Sequence, residues 1–154
     1  MDATDERLLS RLQRDFPLTE RPYLALGQEL GLSEQEIIRR VQGLKEAGLI
    51  RSISAVFEPA RLGLKSALVA AEVEAGRLEE AAGIASSFPE VTHNYAREDT
   101  FNLWFTVIAA SEERLHEIVR LVEGCAGVRQ VAVLPALRKF KLQVQFDFNS
   151  GALE

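Results

Sequence analysis

The sequence predicts an α+β protein in which a helical N-terminal part precedes a β-α-β-β-α-β domain. Two observations carry this prediction. Apolar residues recur at helical spacing in three runs before residue 48, whereas β-prone runs alternate with two helical runs beyond Pro59. At 154 residues and 47% hydrophobic content, the chain is long enough for one ordinary domain or two small ones with their own cores.

Three helices are predicted in the N-terminal part, at residues 5–14, 21–30 and 33–48. Pro17 stops the first helix, because a proline disfavours the helical conformation in the residue before it. Gly31 closes the second as a C-terminal cap, and Ser33 with Glu36 forms a capping box for the third. Because the last two helices are tightly linked, the pattern indicates a helix-turn-helix.

Residues 49–57 alternate as a wing hairpin would, so we predict a winged helix-turn-helix over residues 1–61 and a second domain over residues 62–154. The second domain reads as strand 64–73, helix 77–87, a hairpin within 91–108, helix 111–123, and one long or two short strands within 131–148. This order is the split βαβ or ferredoxin-like arrangement, whose helices cover one face of the sheet. We expect a second subunit, a ligand or both on the bare face.

Composition excludes several classes of protein. The single cysteine, Cys125, rules out internal disulfides and a thiolate metal site built by this chain alone. No apolar run approaches the roughly 20 residues of a membrane span, and the polar N-terminus does not resemble a secretory leader, so we expect a cytoplasmic protein. A net charge of −5 argues against a partner held mainly through phosphates.

Chemically capable side chains are densest in the predicted hairpin at residues 91–106, which holds one of the two histidines and the sole tryptophan. Alternation along a strand places His93, Tyr95 and Arg97 on one face. The parity of the turn decides their neighbours on the next strand, because a slip of one residue exchanges the faces. Those neighbours are either Asn102, Trp104 and Thr106 or Phe101, Leu103 and Phe105.

A helix-turn-helix joined to such a domain resembles the leucine-responsive and asparagine-type transcription regulators. The likeness rests on residues 40–50 and their passage into residues 59–63. The regulators usually carry a glycine and then an aspartate in their effector loop, where this chain has Asp99 and Asn102.

Three motifs, at residues 16–23, 93–97 and 102–106, instead resemble the siroheme decarboxylases, an enzymatic branch of the same fold. Enzymes of this branch remove CO2 from two acetate side chains of siroheme and give didecarbosiroheme, on routes to haem or haem d1. The resemblance implies the same reaction here. No added cofactor is expected, because the macrocycle of the substrate serves as electron sink.

The predicted catalytic residues are His93, Tyr95 and Arg97. A histidine is a suitable proton donor near neutral pH, although His93 could equally bind the siroheme iron. Tyr95 would donate a hydrogen bond or orient His93. Arginine binds a carboxylate with two parallel hydrogen bonds, and the alternative for Arg97 is a surface ion pair with Glu98 or Asp99. Further predicted substrate-binding residues are Arg51, Asn102, Trp104, Arg138, Lys139 and Lys141.

A DNA-binding regulator is the rival hypothesis. Up to Arg61 the chain has nine Lys and Arg against ten Asp and Glu, so the helix-turn-helix is not basic. The predicted recognition helix begins with Glu34 and Glu36, which phosphates repel. We therefore expect siroheme rather than DNA as the ligand, and a homodimer or a heterodimer with a similar subunit. One subunit of such a pair could contribute only part of a site.

Overall fold

A computed structural model describes residues 1–138, 140, 146 and 148. Their contacts form two units: a helical unit of residues 1–55 with Phe146 and Phe148, and a sheet unit, Val56–Phe140. The sequence predicts a boundary at residue 61 and a second domain over residues 62–154. Phe146 and Phe148 instead pack with the helical unit. Phe148 lies against its core, and the Gln13 amide donates to the carbonyl of Phe146 and accepts from its N–H.

Three helices form the helical unit: α1 (Ala3–Arg14), α2 (Pro22–Leu30) and α3 (Glu34–Glu46). Their core contains Leu8, Leu26 and Ile37, each with no exposed surface. The prediction of three helices is confirmed. It succeeded because the apolar stripe and the end signals of each helix predict the same element.

Local chemistry sets the helix ends. Asp2 forms a capping box with Asp5 at the start of α1, and Gly31, at φ 73°, ends α2 in the left-handed conformation. At α3 the Ser33 hydroxyl accepts a hydrogen bond from the Glu36 N–H, which is one half of the predicted capping box. The Glu36 carboxylate binds arginines of the same helix.

Gly27 sets the close approach of α2 to the turn before α3. A Cβ atom at this position would lie 2.6 Å from the carbonyl oxygen of Leu32, closer than real contacts allow. The absence of a side chain therefore permits the tight helix-turn-helix geometry.

The predicted wing hairpin is not formed among the described residues. Residues 51–58 form no strand, and a 3₁₀ turn at Pro59–Leu62 follows them. A two-residue hairpin turn favours glycine, asparagine or aspartate, and residues 49–57 contain none of these. Alternation alone therefore misled the prediction, since an isolated hairpin is marginally stable.

Four strands and two helices form the sheet unit. They are β1 (Lys65–Val73), α4 (Leu78–Ser86), β2 (Val91–Ala96), β3 (Leu103–Ala109), α5 (Glu112–Glu123) and β4 (Val128–Pro135). The strand order is β2-β3-β1-β4, and every neighbouring pair is antiparallel. This confirms the predicted α+β class and the ferredoxin-like domain.

The helices pack on one face of the sheet. Val69, Phe105 and Ile118 are completely buried between the sheet and the helices. Arg114 of α5 also binds Glu90, which precedes β2, at 2.8 Å. This hydrogen bond from the guanidinium lowers the pKa of Glu90 below its usual value.

The last described strand, β4, differs from the prediction of strand structure within 131–148. It begins earlier, at Val128, and ends at Pro135, because proline has no N–H to donate to a further ladder bond. Residues 139, 141–145, 147 and 149–154 lie outside the described residues.

The other face of the sheet, called here the open face, carries the opposite set of side chains. Leu68 of β1 and Leu134 of β4 are partners across the strands and are 41% and 45% exposed. No described helix is long and apolar enough to cross a membrane.

Candidate functional site

The register of the β2–β3 hairpin decides which side chains share the open face. Tyr95 pairs with Trp104 and His93 pairs with Thr106. The Arg97 N–H donates to the Asn102 carbonyl oxygen at 2.9 Å, which leaves an even-numbered loop of residues 98–101. Of the two alternatives left by the sequence, the structure has the one in which His93, Tyr95 and Arg97 share a face with Trp104 and Thr106.

A depression of about 440 Å³ lies on this face and is open to solvent. Its lining residues are Leu68, His93, Tyr95, Arg97, Trp104 and Thr106. The structure therefore brings the three predicted catalytic side chains together with the predicted ligand-binding tryptophan. They are on adjacent strands, whose pairing fixes the spacing between them.

His93 is exposed, and its ring stacks on that of Tyr95, with centroids 6.2 Å apart and planes 28° from parallel. Its Nδ1 lies 3.1 Å from the Thr92 hydroxyl. Since a hydroxyl can donate a hydrogen bond, this contact is compatible with a proton on Nε2. Within the described part of the chain, Nε2 has no hydrogen-bond partner. Tyr95 thus contacts His93 through its ring, whereas the sequence left a hydrogen bond as one alternative.

Arg97 lies over the indole of Trp104, with its guanidinium carbon 5.8 Å from the ring centroid. The Trp104 Nε1–H donates to the carbonyl oxygen of Phe101 at 2.6 Å. Among the described residues no carboxylate lies within 4.0 Å of the Arg97 guanidinium, so the alternative ion pair with Glu98 or Asp99 is not formed. The side chain is exposed and available to an anion.

Asn102 has a different position from the one expected of a substrate-binding residue. Its amide oxygen accepts from the Val73 N–H at 2.9 Å, and its amide nitrogen donates to the Val73 carbonyl at 2.8 Å. The side chain does not line the depression. We correct its role accordingly: Asn102 holds the hairpin to β1.

Of the remaining predicted cations, the two that the structure describes, Arg51 and Arg138, do not line this depression. Arg51 belongs to the helical unit, where it lines a separate, mainly apolar depression of about 710 Å³. Arg138 lies beyond β4, with its guanidinium carbon 4.7 Å from the ring centroid of Phe140. Lys139 and Lys141 fall outside the described residues, so their role stays a prediction.

One lining residue, Leu68, was not singled out from the sequence, and Thr106 was named only in one of the two alternative sets of neighbours. Leu68 lies on β1, one of the two central strands, and Thr106 lies opposite His93. Parity along β1 would have placed Leu68 on the face opposite Val69, but its neighbours depend on the pairing of β1 with β3. Only the register supplies that information.

Comparison with known proteins agrees with this geometry. Residues 61–141 match the AsnC-like ligand binding domain, and residues 5–51 match the siroheme decarboxylase NirDL-like HTH domain. The siroheme decarboxylase alpha subunit of Desulfovibrio desulfuricans is 43% identical over 99% of this chain and 87% of that protein. The chain belongs to the siroheme decarboxylase family. The family membership predicted from its three motifs is thus confirmed.

Solved structures of related proteins place this siroheme decarboxylase chain in the same fold. The siroheme decarboxylase NirDL in complex with an iron-uroporphyrin III analogue has a TM-score of 0.68 and 33% identity, over 93% of this chain and 47% of that one. The chain thus spans about half of NirDL. Escherichia coli AsnC has a TM-score of 0.77 at 21% identity, over 94% of this chain and 97% of that one, which shows the shared fold.

Proposed function

We propose that this chain is a siroheme decarboxylase or one subunit of such an enzyme. It removes CO2 from two acetate side chains of siroheme and yields didecarbosiroheme. The observation that carries the proposal is the depression that combines His93, Arg97 and Trp104 on one open face. It is supported by 43% identity to a siroheme decarboxylase alpha subunit and by likeness to NirDL, whose structure holds an iron-uroporphyrin III analogue.

The substrate is a wide, polyanionic ring, so it lies across the open face rather than inside the depression. Leu68 and the ring of Tyr95 offer it apolar surface. Arg97 binds one of its carboxylates through the fork of its guanidinium. No added cofactor is part of this proposal.

Decarboxylation needs a carboxylate that loses its stabilising water and an acid that supplies a proton. The bond between the acetate methylene and the carboxylate breaks, CO2 leaves, and the electron pair stays on the methylene carbon. The macrocycle delocalises this charge until doubly protonated His93 donates the proton on Nε2, which turns the methylene into a methyl group and leaves His93 as a neutral imidazole. Solvent then reprotonates the exposed imidazole.

Turnover of siroheme tests the function directly. The purified chain, alone and with a candidate second subunit, is incubated anaerobically with siroheme, and mass spectrometry follows the loss of two CO2 units. We expect His93→Ala to lower the rate by roughly 10²–10⁴-fold, the usual contribution of a general acid. His116→Ala is the matched control, since His116 is exposed on α5, on the other side of the sheet. Equal rates for both variants would remove His93 from the mechanism.

The two roles of His93 have different spectra. An imidazole that binds the siroheme iron perturbs the visible absorption of the bound substrate, and His93→Ala removes this perturbation. An imidazole that only donates a proton leaves the spectrum of the bound substrate unchanged while turnover falls. Titration of siroheme into both proteins under anaerobic conditions therefore assigns the role.

A further inference from the structure

The end of the β2–β3 hairpin is held by contacts that converge on Arg97. The backbone N–H of Arg97 is bonded to the carbonyl of Asn102, whose amide in turn is bonded to both backbone groups of Val73. The side chain of Arg97 lies over Trp104, and the Trp104 indole is bonded to the Phe101 carbonyl. Arg97 is therefore restrained at its backbone and at its guanidinium.

We propose that Trp104 is a positioning residue, which holds the Arg97 guanidinium for a carboxylate of the substrate. This inference rests on the proposed function and deepens it. A free arginine side chain samples many rotamers, and this freedom is lost when it binds a ligand. Because the indole already restrains the Arg97 side chain, less conformational entropy is lost when the substrate binds, and binding is stronger.

The kind of contact matters for this role. A guanidinium that meets an aromatic ring through its carbon and the ring face uses none of its five N–H donors. An ion pair with a neighbouring carboxylate would have used them. Trp104 thus restrains Arg97 and leaves the fork free for an anion.

The indole of Trp104 is itself held in one orientation. A ring that only supplied apolar surface would not need this restraint. The only polar hydrogen of the indole is used by the Phe101 carbonyl at 2.6 Å, so the ring cannot rotate without losing a bond. Phe101 belongs to the loop that closes the hairpin. The position of Trp104, and through it that of Arg97, therefore depends on the closed hairpin.

Fluorescence tests the contact without any substrate. Trp104 is the only tryptophan of the chain, so the intrinsic tryptophan emission reports on this site alone. We expect Arg97→Met to change the intensity or the wavelength of that emission. Arg120→Met is the matched control, because Arg120 is exposed on α5, and its emission should equal that of the wild type. Identical emission of all three proteins would overturn the proposal.

Kinetics test the positioning role. Arg97→Met should raise KM for siroheme by roughly 10- to 100-fold and Trp104→Leu by about 3- to 10-fold, with kcat nearly unchanged, as expected when uniform binding is lost. Trp104→Phe, which keeps a ring, should fall between Trp104→Leu and the wild type. Circular dichroism confirms that each variant is folded.

A double variant separates positioning from direct contact with the macrocycle. If Trp104 acts through Arg97, the Arg97→Met/Trp104→Leu protein has the same KM as Arg97→Met alone. If the KM increases of the two single variants multiply in the double variant, the proposal is overturned and Trp104 contacts the macrocycle directly. If no protein turns siroheme over, the proposed function fails. In that case the dissociation constant of siroheme, measured by absorption, replaces KM. Equal dissociation constants for the double variant and Arg97→Met support the positioning role of Trp104, and effects that multiply overturn it.

Discussion

At the scale of single residues, Asn102 shows what the sequence can and cannot reveal. Its place in the 102–106 motif marked it as important, but its role depends on the strand beside it. The β1–β3 ladder runs only to Ala71 and Leu103, and Val73 lies beyond it with two backbone groups to satisfy. An amide carries both a donor and an acceptor, so Asn102 bonds both groups. This requirement arises from the pairing and is invisible along the chain.

Replacement of Asn102 tests this structural role. Asn102→Ala should lower the free energy of unfolding by about 1–3 kcal/mol, because the N–H and C=O of Val73 lose their partners. Asn102→Asp should not restore it, since a carboxylate has no N–H to offer the Val73 carbonyl. Urea denaturation followed by circular dichroism measures both. A wild-type midpoint for Asn102→Ala together with weaker siroheme binding would return Asn102 to the substrate-binding residues.

At the scale of elements, the sequence predicts correctly those features whose signals lie within one element and fails where the pairing between elements decides the structure. The three N-terminal helices and the Ser33 cap were predicted correctly because their signals lie within a few residues. The hairpin register stayed open because alternation along each strand does not fix how the two strands pair, and the hairpin expected within 49–57 is not formed among the described residues because that segment has no residue that favours a tight turn. The same limit applies to the site: periodicity placed His93, Tyr95 and Arg97 on one face, but only the register brought Trp104 beside them.

The first and third helices are joined by an ion-pair cluster. Arg40 of α3 binds Asp2 and Asp5 at the start of α1, as well as Glu36 of its own helix. Arg39 also binds Glu36. A phosphate would have to displace these carboxylates, so the cluster disfavours DNA as a ligand of α3.

Acid should weaken the helical unit through this cluster. Hydrogen bonds from the Asp5 N–H and from Arg40 lower the pKa of Asp2, and Arg39 followed by Arg40 lowers that of Glu36. Carboxyl groups with a lowered pKa in the folded state stabilise it above their unfolded pKa, and this stability is lost as the pH falls through the folded pKa. The melting temperature should therefore fall between pH 5 and pH 3.

Arg40→Gln should reduce the melting temperature more at pH 7 than at pH 3, because protonation of the carboxyl groups at low pH removes their attraction to Arg40. Thermal melts followed by circular dichroism over this range measure the difference. Arg7→Gln serves as control, since Arg7 is an exposed arginine of α1 outside the cluster. Parallel curves for the wild type and Arg40→Gln would show that the cluster contributes nothing to the pH dependence.

At the scale of the whole molecule, the strand order divides the open face into two halves. The depression with His93 is lined from β2 and β3 and reaches Leu68 of β1, and Leu134 lies on β4 at the opposite edge. We propose that the apolar half meets a second subunit, either another copy or a similar chain. Leu134 is 45% exposed there and offers apolar surface for such a contact.

A charge at the apolar edge tests this assembly. Leu134→Asp should shift the protein to a monomer, because a carboxylate placed in an apolar contact loses its water without gaining a partner. Leu121→Asp is the matched control: Leu121 is 50% exposed on α5, against 45% for Leu134, and does not lie on the open face. Sedimentation velocity of each protein, alone and with the candidate second subunit, measures the association. Leu134→Asp should lose it and Leu121→Asp should keep it, whereas equal sedimentation of both variants and the wild type would exclude β4 from the contact.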